Sequence, residues 1–377
     1  MNNQLKYVPI FRGRQQEIAV LKSFDFGKNI FPCLEIVKEL DRIPPKPKLE
    51  GKKSAREPKI KTFEKVYLPL IDSIKAEKVF VDLPLHLTIH KNMKPETLLF
   101  LRTIVALRDK RTEYIRKLAS LASKVIPVIS TYSQVTGERG SIVKQEQDIR
   151  SVFGVIAFRT FAETFRQDIV QISKVVTSHD YLIMDWGDME LDLDDYDQVD
   201  IIEELKKLDC IIIIHRNAFP STITMVGLEH GKIVESIDNS LLEKFTKFAG
   251  HCFSDYCGIK KDNISSGGVI SPGFIYYDAV ENSFFGFRFK NGSHKKGEAK
   301  PKLEEFEITI VPAVIASPAT ARMRSDPLDY LGPFNNGWKI IKNIELGALL
   351  GESGKSPAKF KRVSVEHYLH CMKVKLS

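Results

Sequence analysis

The chain has 377 residues, 43% of them hydrophobic and 28% charged, with a formal net charge of +8. These values are normal for a soluble globular protein, and the absence of any run of about 18 apolar residues argues against a membrane span. The N-terminal sequence lacks the apolar segment of a signal peptide, and the five cysteines are odd in number, so we expect reduced thiols and a cytoplasmic location.

Short apolar runs recur along the first 260 residues and predict buried strands. Each run is nearly continuous in apolar residues rather than alternating, which is typical of parallel strands that are covered on both faces. The eight runs are YVPIF (7–11), IFPCLEIV (30–37), VFVDL (79–83), VIPVIS (125–130), GVIAFR (154–159), YLIMDW (181–186), CIIIIH (210–215) and CFSDY (252–256).

Amphipathic segments lie between most of these runs and predict helices. Eight strands that alternate with helices predict an α/β fold, a (β/α)8 TIM-like barrel of about 250 residues. An open, doubly wound sheet is the alternative. We favour the barrel because the strand count is right and no G-x-G-x-x-G follows the first strand. The predicted helices cover 15–24, 62–78, 95–124, 144–153, 160–176, 197–208 and 239–250.

The pattern changes after residue 260. Residues 273–290 alternate around a turn near Glu281 and predict a β-hairpin, and the apolar run 306–316 predicts another strand. The segment RVSVEHYLHCMKV (362–374) predicts a final helix. We therefore expect a barrel over 1–260, a β-rich insertion over the barrel mouth at 261–361, and a closing helix at 362–377.

Polar residues end several of the predicted strands, where barrels of this type place their active sites. Glu35, Asp82, Asp185 and Asp255 form a candidate metal site for Mg²⁺ or Mn²⁺, because these ions prefer oxygen ligands. Glu35, Asp185 and Asp255, together with His215, are the candidate catalytic residues of a metal-dependent phosphodiesterase.

Two points about these residues stay open at the level of sequence. Neighbouring residues of a strand face opposite ways, so either His215 or Arg216 faces the mouth. A structural interpretation is the alternative to catalysis: Glu35 with Arg12, and Asp185 with Arg159, would then be buried ion pairs on adjacent strands. A noncatalytic ligand pocket is the third possibility.

The positive net charge favours anionic partners such as nucleic acid. Lysines and arginines concentrate with Pro, Gly and Ser in 41–61 and 290–302, which predicts loops that either contact phosphates or are simply solvated. The candidate nucleic-acid-binding residues are Arg12, Arg14, Lys52, Lys53, Arg56, Arg159 and Arg216.

Several short motifs resemble the phage-type "beta protein" family. Pro9, Arg14, Gln15 and Glu17 match its first strand and the segment after it, and Pro32 and Glu35 match its P-x-x-E strand. The segment NAFPSTI (217–223) resembles its A-F-P segment, and RVSVEHYLHCM (362–372) its closing segment, although Tyr368 interrupts the usual pair of histidines. In CFSDYCGI (252–259), Asp255, Tyr256, Gly258 and Ile259 match, while Ser254 replaces the usual glycine.

The resemblance implies a setting in phages and bacterial genomes, with some members near phage-defence genes, and it implies no particular reaction. Three hypotheses about function follow. The first is a phage-related or phage-defence protein that binds or cleaves nucleic acid. The second is a noncatalytic scaffold or sensor that binds a protein partner. The third is a barrel enzyme acting on a small anionic metabolite.

Overall fold

Eight parallel strands close into a barrel whose order follows the chain. The computed structural model describes residues 5–39, 62–259, 272–289, 304–347 and 357–377. Each barrel strand pairs with the next, and the eighth pairs with the first. The predicted (β/α)8 barrel is therefore confirmed. The strands are β1 (Tyr7–Phe11), β2 (Cys33–Glu35), β3 (Val79–Asp82), β4 (Val125–Ser130), β5 (Ala157–Phe161), β6 (Tyr181–Asp185), β7 (Ile211–His215) and β8 (Cys252–Asp255).

The barrel strands are buried on both faces, which explains their nearly continuous apolar sequences. Side chains alternate between two layers. On β7, Ile213 packs in the barrel interior, whereas Ile212 and Ile214 pack between the barrel and its helices. On β8 and just beyond it, Cys252 and Tyr256 belong to the interior and Phe253 to the outer layer. This alternation decides which strand-end residues reach the mouth.

Helices follow the barrel strands and cover their outer faces. The described helices up to β8 are α1 (Gln15–Ser23), α2 (Phe63–Ser73), α3 (Pro95–Ala106), α4 (Arg108–Arg116), α5 (Ser133–Thr136), α6 (Ser141–Ile149), α7 (Phe165–Ile172), α8 (Tyr196–Leu205) and α9 (Leu241–Lys244). Two 3₁₀ turns, Ala119–Leu121 and Phe245–Phe248, and a short parallel pair, Asp25–Gly27 with Lys75–Ala76, complete this part.

A hairpin follows the barrel, as predicted. Its strands are β9 (Gly273–Asp278) and β10 (Ser283–Arg288), joined through a turn in which Asn282 has a φ of 51°. The short strand Lys232–Ile233 pairs with β10 and makes a three-stranded sheet.

The strand predicted over 306–316 is wrong, because this run is helical. Phe306–Ile310 is a π-helical turn that leads into α10 (Val311–Ile315). The buried residues Phe306, Ile310 and Val314 are spaced four apart, while Ile308 between them is exposed. That spacing is the period of a helix rather than of a strand. Two further helices follow, α11 (Pro318–Ser325) and α12 (Asn336–Glu345), so the described part of the insertion is mixed.

The last helix, α13 (Pro357–Lys375), lies against α1, α12 and the hairpin. Its Ser364 hydroxyl donates to the Ile275 carbonyl of β9 at 2.6 Å. Beyond its end, the Leu376 carbonyl accepts from Lys6, which precedes β1, at 2.6 Å. The helix thus joins the two ends of the chain and completes the outer layer beside α1.

Candidate functional site at the barrel mouth

A fully buried arginine, Arg159 at the mouth end of β5, joins carboxylates from three other strands. Its Nε and Nη2 donate to Asp185 Oδ2 at 3.0 and 2.7 Å. Its Nη1 donates to Glu35 Oε1 at 3.0 Å and to Asp82 Oδ2 at 2.8 Å. Charges removed from water are costly unless they are paired and hydrogen-bonded, and this geometry pairs them closely. The three carboxylates therefore converge at the mouth, around a guanidinium.

Glu35 accepts hydrogen bonds from side chains of several different elements. Arg12 Nε donates to Oε2 at 3.1 Å, and the Tyr256 hydroxyl donates to Oε1 at 3.2 Å. His86 Nε2 lies 3.4 Å from Oε1. Burial by itself raises the pKa of Glu35, but the nearby His86 imidazole and the charges of Arg12 and Arg159 hold that pKa well below its ordinary value. Glu35 is therefore a carboxylate at neutral pH.

A second buried arginine, Arg111 of α4, fixes Asp82. Its Nη2 lies 3.1 Å from Asp82 Oδ1 and donates to the Val128 carbonyl at 2.9 Å. Its other nitrogens donate to the Leu83 carbonyl and to Gln145 Oε1 at 2.8 and 2.6 Å. Five donors in a rigid fork suit this role. Sequence reasoning missed Arg111, because it belongs to the charged stretch RDKRTEYIR and nothing in that pattern marks it as buried.

His215 faces the barrel interior and Arg216 faces outward, so of these two neighbours it is His215 whose side chain lies inside the barrel. His215 Nδ1 lies 3.0 Å from Ser254 Oγ, and that hydroxyl donates to the Val8 carbonyl at 2.7 Å. Ser254 therefore accepts from an Nδ1–H of the His215 ring. Nε2 lies 3.8 Å from Asp185 Oδ1. Ser254 thus keeps a proton on His215 Nδ1.

Asp255 does not join the carboxylates at the mouth, contrary to the expectation from the sequence. Its carboxylate accepts from the Tyr7 hydroxyl, from the Cys257 backbone N–H at 2.7 Å and from the Tyr368 hydroxyl of α13 at 2.6 Å. Because side chains alternate, Tyr256 takes the interior direction and Asp255 takes the outer layer. Burial raises the pKa of Asp255, in part offset by the hydrogen bonds from Tyr368 and Tyr7.

The candidate nucleic-acid-binding residues do not form a single surface among the described residues. Arg12 and Arg159 belong to the network at the mouth, and both predicted ion pairs, Arg12–Glu35 and Arg159–Asp185, are formed. Arg216 donates to the Met189 carbonyl at 2.8 Å and pairs with Asp238. Arg14 is the partly exposed N-cap residue of α1. The remaining three candidates lie outside the described residues; they are Lys52, Lys53 and Arg56.

One group of side chains has the spacing of a cation site. Ligand atoms of Glu35, Asp82 and His86 all lie within 4.8 Å of one another. Two carboxylates and an imidazole suit Mg²⁺ or Mn²⁺. Arg159 Nη1 bonds to the same two carboxylates, so a metal ion there would compete with a guanidinium already in place. Asp185 and Asp255 are not part of this group in the described structure.

A cleft of about 320 Å³ opens at the mouth, directly above the network. Arg12 and His86 belong both to its wall and to the set of groups around Glu35. The volume is at the lower end of the range of small-molecule sites, about 300–1,000 Å³. Side chains that line the cleft include Arg12, His86, Met93, Asp188, Asn217 and Phe219.

His86 is the residue at the mouth that sequence reasoning overlooked most clearly. It lies four residues after the end of β3, on the loop that leads away from the mouth. A histidine at that position, after a strand that ends in Asp82, was a signal available in the sequence, because loops after barrel strands carry site residues. Its ring also packs on Phe161, with centroids 5.5 Å apart.

Comparison with known proteins identifies the family. The sequence profile described as Beta protein matches residues 7–373, nearly the whole chain. The chain belongs to the Beta protein family. The match runs from the first residue of β1 into α13 and so includes every residue of the mouth network. No curated protein and no solved structure matches the chain.

Membership of the Beta protein family confirms the resemblance that the short motifs indicated. In this Beta protein, the matching residues Glu35 and Tyr256 meet at the mouth, whereas Asp255 meets α13. Among the helices in the described ranges, none is both long and apolar enough to cross a bilayer.

Proposed function

We propose that this Beta protein is a barrel enzyme that binds a phosphate-bearing ligand, a nucleotide or the end of a nucleic acid, in the cleft at the mouth. The observation that carries the proposal is that Arg12 and His86 belong both to the cleft wall and to the buried network. Both line the cleft, and both contact Glu35 below it. A ligand that reaches these two side chains is therefore in reach of the buried network.

The cleft wall suits an anion. Arg12 carries a permanent charge, and its guanidinium lies over the Tyr256 ring, 5.1 Å from the centroid, which holds the fork in one orientation. Planar guanidinium groups bind phosphate through paired hydrogen bonds. The net charge of +8 adds a field that attracts anions to the whole molecule.

The size of the cleft limits what enters. A volume of about 320 Å³ accommodates a single nucleotide-sized group and not a duplex. A nucleic acid would therefore present a terminal or unstacked nucleotide. A role in phage–host conflict remains a proposal that rests on the family resemblance.

The network supplies groups for proton transfer. Glu35 is held ionised and is the candidate general base, with His86 Nε2, 3.4 Å from its Oε1, as the imidazole that exchanges a proton with it. His215 lies deeper in the barrel, with its Nε2 3.8 Å from Asp185 Oδ1. These groups support hydrolysis of a phosphodiester, in which a base activates water and arginine stabilises the developing charge.

Binding is tested by titration calorimetry with adenosine monophosphate and with adenosine. We expect the nucleotide to bind at least tenfold more tightly than the nucleoside, and Arg12→Gln and His86→Gln each to reduce that preference. Arg216→Gln is the matched control, because Arg216 faces the outer layer. Equal binding of the two compounds, or a preference that survives both mouth substitutions, would contradict the proposal.

Catalysis is tested separately with bis(p-nitrophenyl) phosphate and single-stranded oligonucleotides. We expect the protein to hydrolyse these substrates. Glu35→Gln should abolish hydrolysis and leave the binding of the nucleotide intact. Binding without any turnover would leave a ligand-binding role and reject the enzymatic one.

Metal-assisted hydrolysis is a second candidate, favoured by the spacing of Glu35, Asp82 and His86. Electron paramagnetic resonance of added Mn²⁺ measures binding directly. We expect Glu35→Gln and Asp82→Asn to lower Mn²⁺ affinity, and Asp255→Asn, a buried strand-end carboxylate in the outer layer, to leave it unchanged. Unaltered Mn²⁺ affinity in both mouth variants would reject this site.

A further inference from the structure

We propose that the ligand of the mouth cleft carries a hydroxyl group, as a sugar phosphate or ribonucleotide does, and that this hydroxyl donates a hydrogen bond to Asn217 Oδ1. The inference rests on the proposed function and names the class of ligand. It starts from a buried acceptor in the cleft wall that no described residue satisfies.

Asn217 follows β7 and is held in one orientation. Its backbone N–H donates to the Gly187 carbonyl at 2.7 Å, and its Nδ2 donates to Asp188 Oδ1. Because a carboxylate accepts only, the amide nitrogen must face Asp188, and the assignment of Nδ2 and Oδ1 is fixed. The side chain cannot turn over to exchange its acceptor for a donor without losing this bond.

Asn217 Oδ1 accepts no hydrogen bond from any residue in the described parts of the chain. The residue is only 8% exposed. A buried carbonyl oxygen without a donor is uncommon in folded proteins and costs free energy, so such groups are usually satisfied by water or by a ligand. Since Asn217 lines the cleft, a bound molecule can supply the missing donor.

The neighbouring side chains favour a neutral hydroxyl as that donor. Thr88 and Ser221, both neutral, lie in the same wall, and Asp188 is already engaged by Asn217 Nδ2. Met93 and Phe219 supply apolar surface for the carbon skeleton. If the anionic group of the ligand binds at Arg12 and His86, the cleft is complementary to a molecule that combines an anionic group, a carbon framework and a hydroxyl.

The experiment compares pairs of compounds that differ in one hydroxyl: ribose 5-phosphate with 2-deoxyribose 5-phosphate, and adenosine monophosphate with its 2′-deoxy form. Titration calorimetry on the full chain gives both affinities. We expect the hydroxylated member of at least one pair to bind at least tenfold more tightly. Asn217→Leu, of similar size without the acceptor, should remove that preference and leave the affinity for the deoxy compound within about twofold.

Asn29→Leu is the matched control, because Asn29 precedes β2 at the opposite end of the barrel, where its Nδ2 donates to the Leu376 carbonyl at 3.3 Å. It should keep the preference, and circular dichroism checks that both variants are folded. If the phosphates bind through Arg12 but neither pair is discriminated, or Asn217→Leu keeps the discrimination, the hydroxyl inference is rejected and the proposed function stands. If no phosphate binds, both are rejected.

Discussion

At the scale of single residues, the mouth is organised by one cation. Arg159 has no exposed surface and touches Glu35, Asp82 and Asp185, each from a different strand. Three carboxylates held this closely repel one another unless a positive charge lies between them. The sequence suggested a metal ion among these carboxylates or, as the alternative, an ion pair of Asp185 with Arg159, and the guanidinium of Arg159 lies between the three carboxylates. The two interpretations lead to different results when Arg159 is replaced.

Replacement of Arg159 by methionine tests its structural contribution. The variant leaves the three carboxylates buried without their shared partner, so we expect the free energy of unfolding to fall by about 3–5 kcal/mol. Guanidinium chloride denaturation at pH 7 measures it. Arg166→Met, on the exposed face of α7 and paired with Asp197, is the control and should leave stability unchanged. A stable Arg159→Met protein would show that the carboxylates are neutralised in another way.

At the scale of secondary-structure elements, α13 packs against the strand pair that closes the barrel and contacts a buried carboxylate there. The strand pair that closes the barrel, β1 with β8, contributes Tyr7 and Asp255, and α13 contributes Tyr368 to the same carboxylate. Gly258, just after β8, leaves room for the Tyr368 ring, because a Cβ there would lie 2.5 Å from it. The segment DYCGI (255–259) and the closing helix therefore meet at this one carboxylate.

Loss of the Tyr368 hydroxyl should loosen this junction. Tyr368→Phe removes a donor to a buried carboxyl group, and we expect a loss of about 1–3 kcal/mol in the free energy of unfolding. Tyr196→Phe, with Tyr196 89% exposed, is the control. In the background of Asp255→Asn the effect of Tyr368→Phe should shrink, as a double-mutant cycle would show. Additive losses would mean that the two side chains are not coupled.

The helix also contains a histidine whose neutral form the fold requires. His367 stacks on Tyr276 with ring centroids 4.4 Å apart; its Nε2 donates to the Tyr277 carbonyl, and its Nδ1 accepts from Asn335 Nδ2, both at 2.8 Å. The Asn335 amide is fixed in turn, because its Oδ1 accepts from the Trp338 backbone N–H. Burial lowers the pKa of His367 to about 3, against a smaller effect of the Tyr277 carbonyl.

The lowered pKa of His367 predicts a pH dependence of stability. The unfolded chain takes up a proton near pH 6.5 and the folded protein only near 3, so the contribution is complete above about 6.5 and is lost as the pH falls towards 3. One proton corresponds to about 1.4 kcal/mol per pH unit in this window. His367→Gln keeps a donor and an acceptor without titrating. Urea denaturation from pH 7 to 4 should give a shallower decline for the variant, and parallel curves would contradict the assignment.

At the scale of the whole molecule, the net positive charge and the cleft at the mouth would make different contributions to the binding of a nucleic acid. The net charge of +8 belongs to the entire chain and acts at a distance. The cleft at the mouth, of about 320 Å³, would admit one small group under the proposed function. A nucleic acid would thus be attracted by scattered lysines and arginines and recognised at the mouth, and these two contributions respond differently to salt.

Neutralisation of the basic stretch that includes Lys52, Lys53 and Arg56 tests the first contribution. If all three contact phosphates of a single strand, the triple alanine variant should lower the slope of log affinity against log salt by about 2, because each contact contributes about 0.7. Fluorescence anisotropy of a labelled oligonucleotide between 50 and 300 mM salt measures the slope. Affinity for adenosine monophosphate at the cleft should be unchanged. An unaltered slope would assign these residues to ordinary solvated surface.

The sequence alone determined the barrel, because strands buried on both faces must be apolar almost throughout, and eight such runs alternating with helices have few other arrangements. It also placed Glu35, Asp82, Arg159 and Asp185 at strand ends, where closure of the barrel brings them together. The apolar run 306–316 failed as a strand because a short apolar segment fits either period until its neighbours fix which face is covered.

The direction in which each strand-end side chain points depends on the folded structure. A shift of one residue reverses the direction of a side chain, so Tyr256 reaches Glu35 while Asp255 meets α13, and His215 enters the barrel while Arg216 leaves it. Arg111 and His86 reach the mouth from a helix and a loop whose paths no local pattern specifies. The apolar rhythm of the chain is a local property, whereas the pairing of buried charges depends on residues more than a hundred positions apart, such as Glu35 and Arg159.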